Sequence, residues 1–146
     1  MSTSGTRERT AGGRLTHVGD EVIPGVSPAV VVEGGRLAYL SGHVPLDAGG
    51  RLPEGFGAQI DQAFDNVADT LHRLGAGVGD LVRVTVFAVG LTPDLVPLVR
   101  GARDRFIGDA VPPSSALIGV DALFQPGVLV EIDAVVSLPP AERQGS

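Results

Sequence analysis

Apolar and polar positions alternate along the chain with two different periods, and the change from one to the other marks out the elements. From Val128 to Leu138 the period is two: Val130, Ile132, Ala134 and Val136 fall on one side, and Leu129, Glu131, Asp133, Val135 and Ser137 on the other, the signature of a strand. Asp80–Val89 (DLVRVTVFAV) is β-branched and reads as a second strand, with Val82, Val84, Val86 and Ala88 opposite Leu81, Arg83, Thr85, Phe87 and Val89. Between Gly57 and Gly75 the period lengthens. Ile60, Ala63, Phe64, Val67, Leu71 and Leu74 recur at steps of three and four, a single stripe on a helix that Gly75 and Gly77 stop. Thr92-Pro93-Asp94 supplies a hydroxyl cap, a proline and an acid for a second helix with an apolar face of Leu95, Leu98, Val99, Ala102 and Phe106. Leu15–Ile23, Ala29–Val32, Arg36–Ser41 and Ser115–Val120 complete the strands, and Glu33-Gly34-Gly35 predicts a hairpin between the second and third.

The predicted order is β-β-β-α-β-α-β-β, an α+β domain with both helices on one face of a mixed sheet. Residues 15–138 form the domain. Residues 1–14 and 139–146, polar and rich in Gly or Pro, are expected to be flexible tails. The face opposite the helices carries Leu129, Val135, Leu81, Phe87 and Val89, too much apolar surface for water. Too little chain remains to cover it, so a partner subunit is the expected cover.

Composition narrows the chemistry. The chain has 146 residues, 43% hydrophobic, with five Phe, one Tyr and no Trp, so the core is aliphatic. The absence of Cys excludes a disulfide, a thiolate nucleophile and a Cys-ligated metal. A net charge of −6 without a basic stripe speaks against nucleic acid. No apolar run approaches the ~20 residues of a membrane span, and the polar N-terminus is no signal peptide. A cytoplasmic protein with no nucleic-acid or membrane partner is expected.

Three motifs stand in order: Leu40–Asp47 (LSGHVPLD), Gln59–Phe87 (a helix and strand ending VRVTVF), and Val111–Val136 (VPPSSALIGVDALFQPGVLVEIDAVV). They resemble the "SGQ-P" segment, the central helix and strand, and the "P-P-R-S" loop with "VEIEA" strand of the Rid family, the reactive-intermediate deaminases or YjgF-like proteins. The resemblance covers roughly Ile23 to Leu138. It implies a chorismate-mutase-like fold, a homotrimer whose central barrel is lined by the sheets, a cleft at each subunit interface and a small-molecule ligand. No cofactor is expected, and the spacings of His17, His43 and His72 support no metal site.

In the deaminating members that this chain resembles, an arginine of the P-P-x-R-S region grips the substrate carboxylate, and a glutamate of the last strand positions water for attack on a C=N carbon. Carried over, Glu131 takes the glutamate's place and Ser114 stands where the arginine would. Val26 replaces a tyrosine, and His43 replaces the glutamine of SGQ. A guanidinium offers a charged bidentate fork and serine one neutral hydroxyl. The expected ligand is therefore a small imine or enamine without the usual α-carboxylate, neutral or charged elsewhere, unless Arg83, Arg103 or Arg105 reaches in. Glu131 and His43 are the expected catalytic groups. Ser41, Gly42, Ser114, Ser115, Val26 and Phe87 are expected to bind the substrate. Read without the family, Glu131 is a solvated strand acid or an ion-pair partner of Arg83, and Asp133 on its face raises the prospect of a coupled acid and base. His43 alone reads as structural, and His17 and His72 as surface or filler. A binding trimer that turns nothing over is the alternative reading.

Overall fold

The computed structural model describes residues 7–10, 13–19 and 23–142. Among the described residues the strands and α-helices follow in the order β1 Arg7–Thr10, β2 Leu15–Val18, β3 Ala29–Val32, β4 Arg36–Tyr39, α1 Phe56–Arg73, β5 Leu81–Val89, α2 Val96–Ile107, β6 Ser114–Val120 and β7 Val130–Leu138, with a 3-10 turn at Val78–Asp80 leading into β5. The α+β class and the helix-covered mixed sheet are as expected. A four-stranded sheet runs in the order β4-β7-β5-β6, with β5 and β6 parallel and the other pairs antiparallel.

Both helices lie on one face. Ile60, Ala63, Phe64, Val67 and Leu71 of α1 meet Val130, Ile132, Ala134 and Val136 of β7 in one core, all nearly or wholly buried. Phe64 stacks on Phe106 of α2, ring centroids 4.7 Å apart. Helix α1 ends at Arg73, one residue short of the predicted stripe, and Leu74 is its exposed cap. Gly75, at φ +69°, donates to the His72 carbonyl while Ala76 donates to Leu71, a glycine stop that closes the orphan carbonyls.

Four expectations need correction. Leu81 belongs to the core, because an extra residue in β5 breaks the alternation: Leu81 pairs with Val136 and Arg83 with Val135, leaving Val82 bulged. Gly34 and Gly35 form no hairpin. Both adopt positive φ, but the corner they make carries the chain out of a β1-β2-β3 sheet into the second sheet, where β4 pairs with β7. Within the expected N-terminal tail, Arg7–Thr10 pairs antiparallel with Leu15–Val18, through backbone bonds that a polar sequence forms as readily as an apolar one. In α2 the helix starts at Val96, Leu98 is exposed, and Arg103 is buried with Val99, Ala102 and Ile107. Of the predicted strand Leu15–Ile23, the part 20–22 lies outside the described residues, as do 1–6, 11–12 and 143–146 of the tails.

On the helix-free face, Leu37, Tyr39 and Ile118 stay exposed, Tyr39 to 76%. No helix among the described residues is long and apolar enough to cross a membrane.

Candidate functional site

The residues singled out in the sequence fall into two groups on this fold. The first gathers where the chain leaves β4. Leu40 donates to the Ala134 carbonyl at 2.9 Å, and His43 and Ile132 exchange backbone bonds at 2.6 and 3.0 Å, so the segment runs on beside β7. Gly42 lies between those anchors, and the Glu131 side chain is laid over it. A methyl group built on Gly42 would stand 2.7 Å from Glu131 Cδ and 2.8 Å from Oε2. Only glycine leaves room for the carboxylate to lie there undisturbed. Glu131 is half-buried, with Phe87 as its cross-strand partner on β5. Among the described residues neither Glu131, Asp133 nor Arg83 makes an ion pair. Asp133 sits one ladder step further, opposite Thr85.

His43 stands apart from this carboxylate. It is the bridge partner of Ile132, a residue of the helix-side core, and its ring follows that face. Nε2 lies 2.7 Å from the Thr70 hydroxyl of α1 and Nδ1 2.6 Å from the Ser41 carbonyl. The carbonyl can only accept, so Nδ1 carries a proton. Both nitrogens are engaged and the imidazole ties the loop to α1. The expected acid-base partnership with Glu131 is therefore not met by the geometry of the single chain. Asn66, one turn before Thr70, holds the same loop through the carbonyls of Val44 and Leu46.

Behind Glu131, Gln59 fixes the approach to β7. Buried in α1, it donates to the Pro53 and Gly127 carbonyls at 3.1 and 2.9 Å and accepts from Leu129 N–H at 2.8 Å. This residue was not singled out in the sequence. One amide meeting three backbone groups is a contact that no spacing announces.

The second group lies at the start of β6. Ser27 donates through its backbone to Pro113 O at 3.0 Å and through its hydroxyl to Pro112 O at 2.5 Å, strapping the segment that follows Val26 to the two prolines. Ser114 donates its hydroxyl to the Val82 carbonyl at 2.8 Å, using the bulge of β5. Ser115, whose register partner is Val84, faces the helices. There it lines a cleft of about 400 Å3 under α2, together with Val26, Val99, Arg100, Arg103 and Leu117.

The two groups do not meet within one chain. Ser114 is in register with Arg83 and Glu131 with Phe87, four residues or about 13 Å apart along β5. Of the three cations considered for the missing arginine, Arg105 pairs with Asp61 at 2.9 Å. Arg83 shares the register position of Ser114. Arg103 lines the β6 cleft.

A helix-covered mixed sheet, a strand-ending Ser-Gly segment under a last-strand glutamate, and a Pro-Pro-Ser-Ser loop on the opposite edge define an α+β protein of the Rid/YjgF type. The chain belongs to that family: the family model described as Endoribonuclease L-PSP matches residues 24–138. It is 34% identical over 111 residues to Protein DfrA of Myxococcus xanthus, covering 75% of this chain and 82% of that one. A 36% identity to the 2-iminobutanoate/2-iminopropanoate deaminase of Escherichia coli K12 extends over 61 residues only, 41% of this chain and about half (48%) of the enzyme. Among solved structures, a Rid-family protein of unknown function, YyfB from Yersinia pestis, superposes with a TM-score of 0.80 at 29% identity, over 86% of this chain and 99% of that one.

Proposed function

We propose that this protein is a cytoplasmic homotrimer that hydrolyses a small imine or enamine in clefts between its subunits. The observation that carries this reading is Glu131: a half-buried carboxylate without an ion pair among the described residues, laid over the bare backbone of Gly42 beside the Phe87 ring. A carboxylate so placed accepts a proton from water as the oxygen attacks the C=N carbon. That proton passes to the imine nitrogen to give the carbinolamine, whose hydroxyl then yields its own proton through the carboxylate to the same nitrogen as the C–N bond breaks, so that imine and water become carbonyl compound and ammonia. The E. coli relative bears the name of an imine deaminase, which supports the reaction class.

Two features support assembly. The helix-free face is apolar, with Tyr39, Leu37 and Ile118 exposed on it, and such a surface seeks a cover. The two groups of candidate residues lie on opposite edges of one sheet, so a neighbour's β4–β7 edge set against this chain's β6 edge would complete one site. In that cleft Ser41 and Gly42 orient the ligand from one side, and Val26, Ser114 and Ser115 from the other. His43 acts by holding the Ser41–Gly42 backbone in place.

Replacing Glu131 by Gln keeps the shape and removes the base. The variant is expected to assemble as the wild type does and to lose turnover by a factor of roughly 10² to 10⁴. Ammonia release from imines generated in solution measures this, and an unchanged rate would overturn the assignment. The alternative, a trimer that binds a metabolite without converting it, is favoured by Ser114, whose hydroxyl is already given to Val82. A ligand recovered unmodified after long incubation would select it.

A further inference from the structure

Helix α2 presents a side that its apolar face does not explain. Val96, Val99, Arg100 and Arg103 follow at helical steps of three, four and seven, so they share one flank. All four line the cleft of about 400 Å3 that Val26 closes from above and Ser115 and Leu117 from the sheet. Among the described residues the rest of the wall is aliphatic apart from Ser115, and the two arginines are the charged groups that line it. In a chain of net charge −6, this is a pocket of the opposite sign.

The two arginines are not equivalent. Arg103 is buried and committed: Nη2 donates to the Pro24 carbonyl at 3.0 Å and to Asp104 Oδ1 at 3.2 Å. Gly25 at φ +82° brings the backbone onto its guanidinium, where a side chain would collide. Arg103 thus fixes the strap to the helix. Arg100, exposed at the mouth, has no hydrogen bond or ion pair among the described residues. A guanidinium with free donors beside an apolar cavity is a ready partner for an anion.

We propose that this cleft binds the anionic end of a small ligand through Arg100, so that the charge is held from α2 and not from the Ser114 position on β6. The ligand class is a short-chain carbonyl or imine compound whose carboxylate is separated from the C=N or C=O carbon by an apolar spacer. The spacer lies against Val26, Val96, Val99 and Leu117. The identity of the reacting group rests on the hydrolase reading above; the anion site does not.

Calorimetric titration of the intact wild-type protein with 4-oxopentanoate, 2-oxobutanoate and 2-butanone tests this, repeated with Arg100→Gln and, as a control for lost positive charge, with Arg73→Gln. Binding of 4-oxopentanoate is expected to be the tightest, and to weaken roughly tenfold or more in Arg100→Gln, the factor for one charge-assisted hydrogen bond. Butanone should not distinguish wild type from Arg100→Gln, and Arg73→Gln, which removes an exposed cation of α1 paired with Asp69, should bind 4-oxopentanoate as the wild type does. The proposal is overturned if Arg100→Gln binds 4-oxopentanoate within about twofold of wild type, or if 2-oxobutanoate or butanone binds as tightly. Arg100-dependent binding by a protein that turns over no imine would support the cleft and sink the hydrolase reading. Turnover of a neutral imine, with no effect of Arg100→Gln on binding or rate, would do the reverse.

Discussion

Gly42→Ala separates a catalytic role of the Glu131 carboxylate from a merely structural one. The added methyl would stand 2.7 Å from Glu131 Cδ and 2.8 Å from Oε2, whereas carbon atoms in good contact are about 3.5–4.0 Å apart. The carboxylate must therefore withdraw by about 0.8 Å or more. The displaced atoms are the far end of a flexible side chain, so the cost is that of a distorted rotamer, about 0.5–1.5 kcal/mol. Gly42 is not at positive φ, so alanine is unstrained there and restricts the unfolded chain, offsetting about 0.4–1 kcal/mol. Stability should stay within about 1 kcal/mol of wild type. Turnover should not. A reacting group misplaced by about 1 Å loses on the order of 10²-fold in rate. The assay couples ammonia release to a dehydrogenase, on whichever generated imine the wild type consumes fastest, alongside a thermal melt at fixed protein concentration. A wild-type rate with an unchanged melt would refute the placement of Glu131 in the chemistry. A melt lowered by many degrees would show instead that Gly42 serves the fold.

Three further outcomes are expected. Gln59→Leu strips three part-buried backbone groups of their partner; with partial hydration of the loops the loss is about 3 kcal/mol, read as a fall of roughly 1–2 M in the urea midpoint at constant slope, and a loss below about 1 kcal/mol would show the network to be incidental. Tyr39→Asp places a charge on the helix-free face where Tyr39 is 76% exposed, and light scattering should find smaller assemblies; an unchanged mass would place the subunit contact elsewhere. Ser114→Arg supplies the carboxylate fork at the cost of the 2.8 Å bond to Val82, about 1 kcal/mol, and should raise kcat/KM on 2-iminopropanoate by roughly tenfold or more; no gain would mean that this position does not face the reacting carbon.

The fold was legible where one strand or helix could be read by itself. In β7 the period of two holds without interruption, and Val130, Ile132, Ala134 and Val136 are all in the core as expected. In β5 the same rule fails at its first residues, because a bulge exists only relative to a partner strand: Val82 is extra against Val136 and Val135, and nothing in LVRV alone marks it. Gly34-Gly35 announces positive φ correctly but not the direction of the turn, which depends on β4 finding β7 instead of β3. Strand β1 gives no signal in RERT because its bonds are made by backbone. Likewise His17, read as surface or filler, is buried in β2.

The same distinction governs the site. Glu131 and Gly42 were visible as members of motifs, and a motif carries its geometry with it. The orientation of His43 was not, since a residue just past a strand end takes its face from whichever backbone it bridges, here Ile132. The stripe of α2 was hidden for a further reason. By periodicity, an apolar face of Leu95, Leu98, Val99, Ala102 and Phe106 uses up the helix's buried side, yet Leu98 is exposed and Arg103 is buried in its stead. A helix lying over a sheet edge has two buried flanks: one against the neighbouring helix, which Phe106 fills by stacking on Phe64, and one over the edge strand. On the second flank a long cation is tolerated because its stem packs on aliphatic neighbours while its head finds backbone carbonyls, as Arg103 does with Pro24. A hydrophobic stripe locates the first flank only. Where a cleft opens on the second, its charged residues look like ordinary surface in the sequence, and only the tertiary placement of β6 shows that Arg100 faces a cavity.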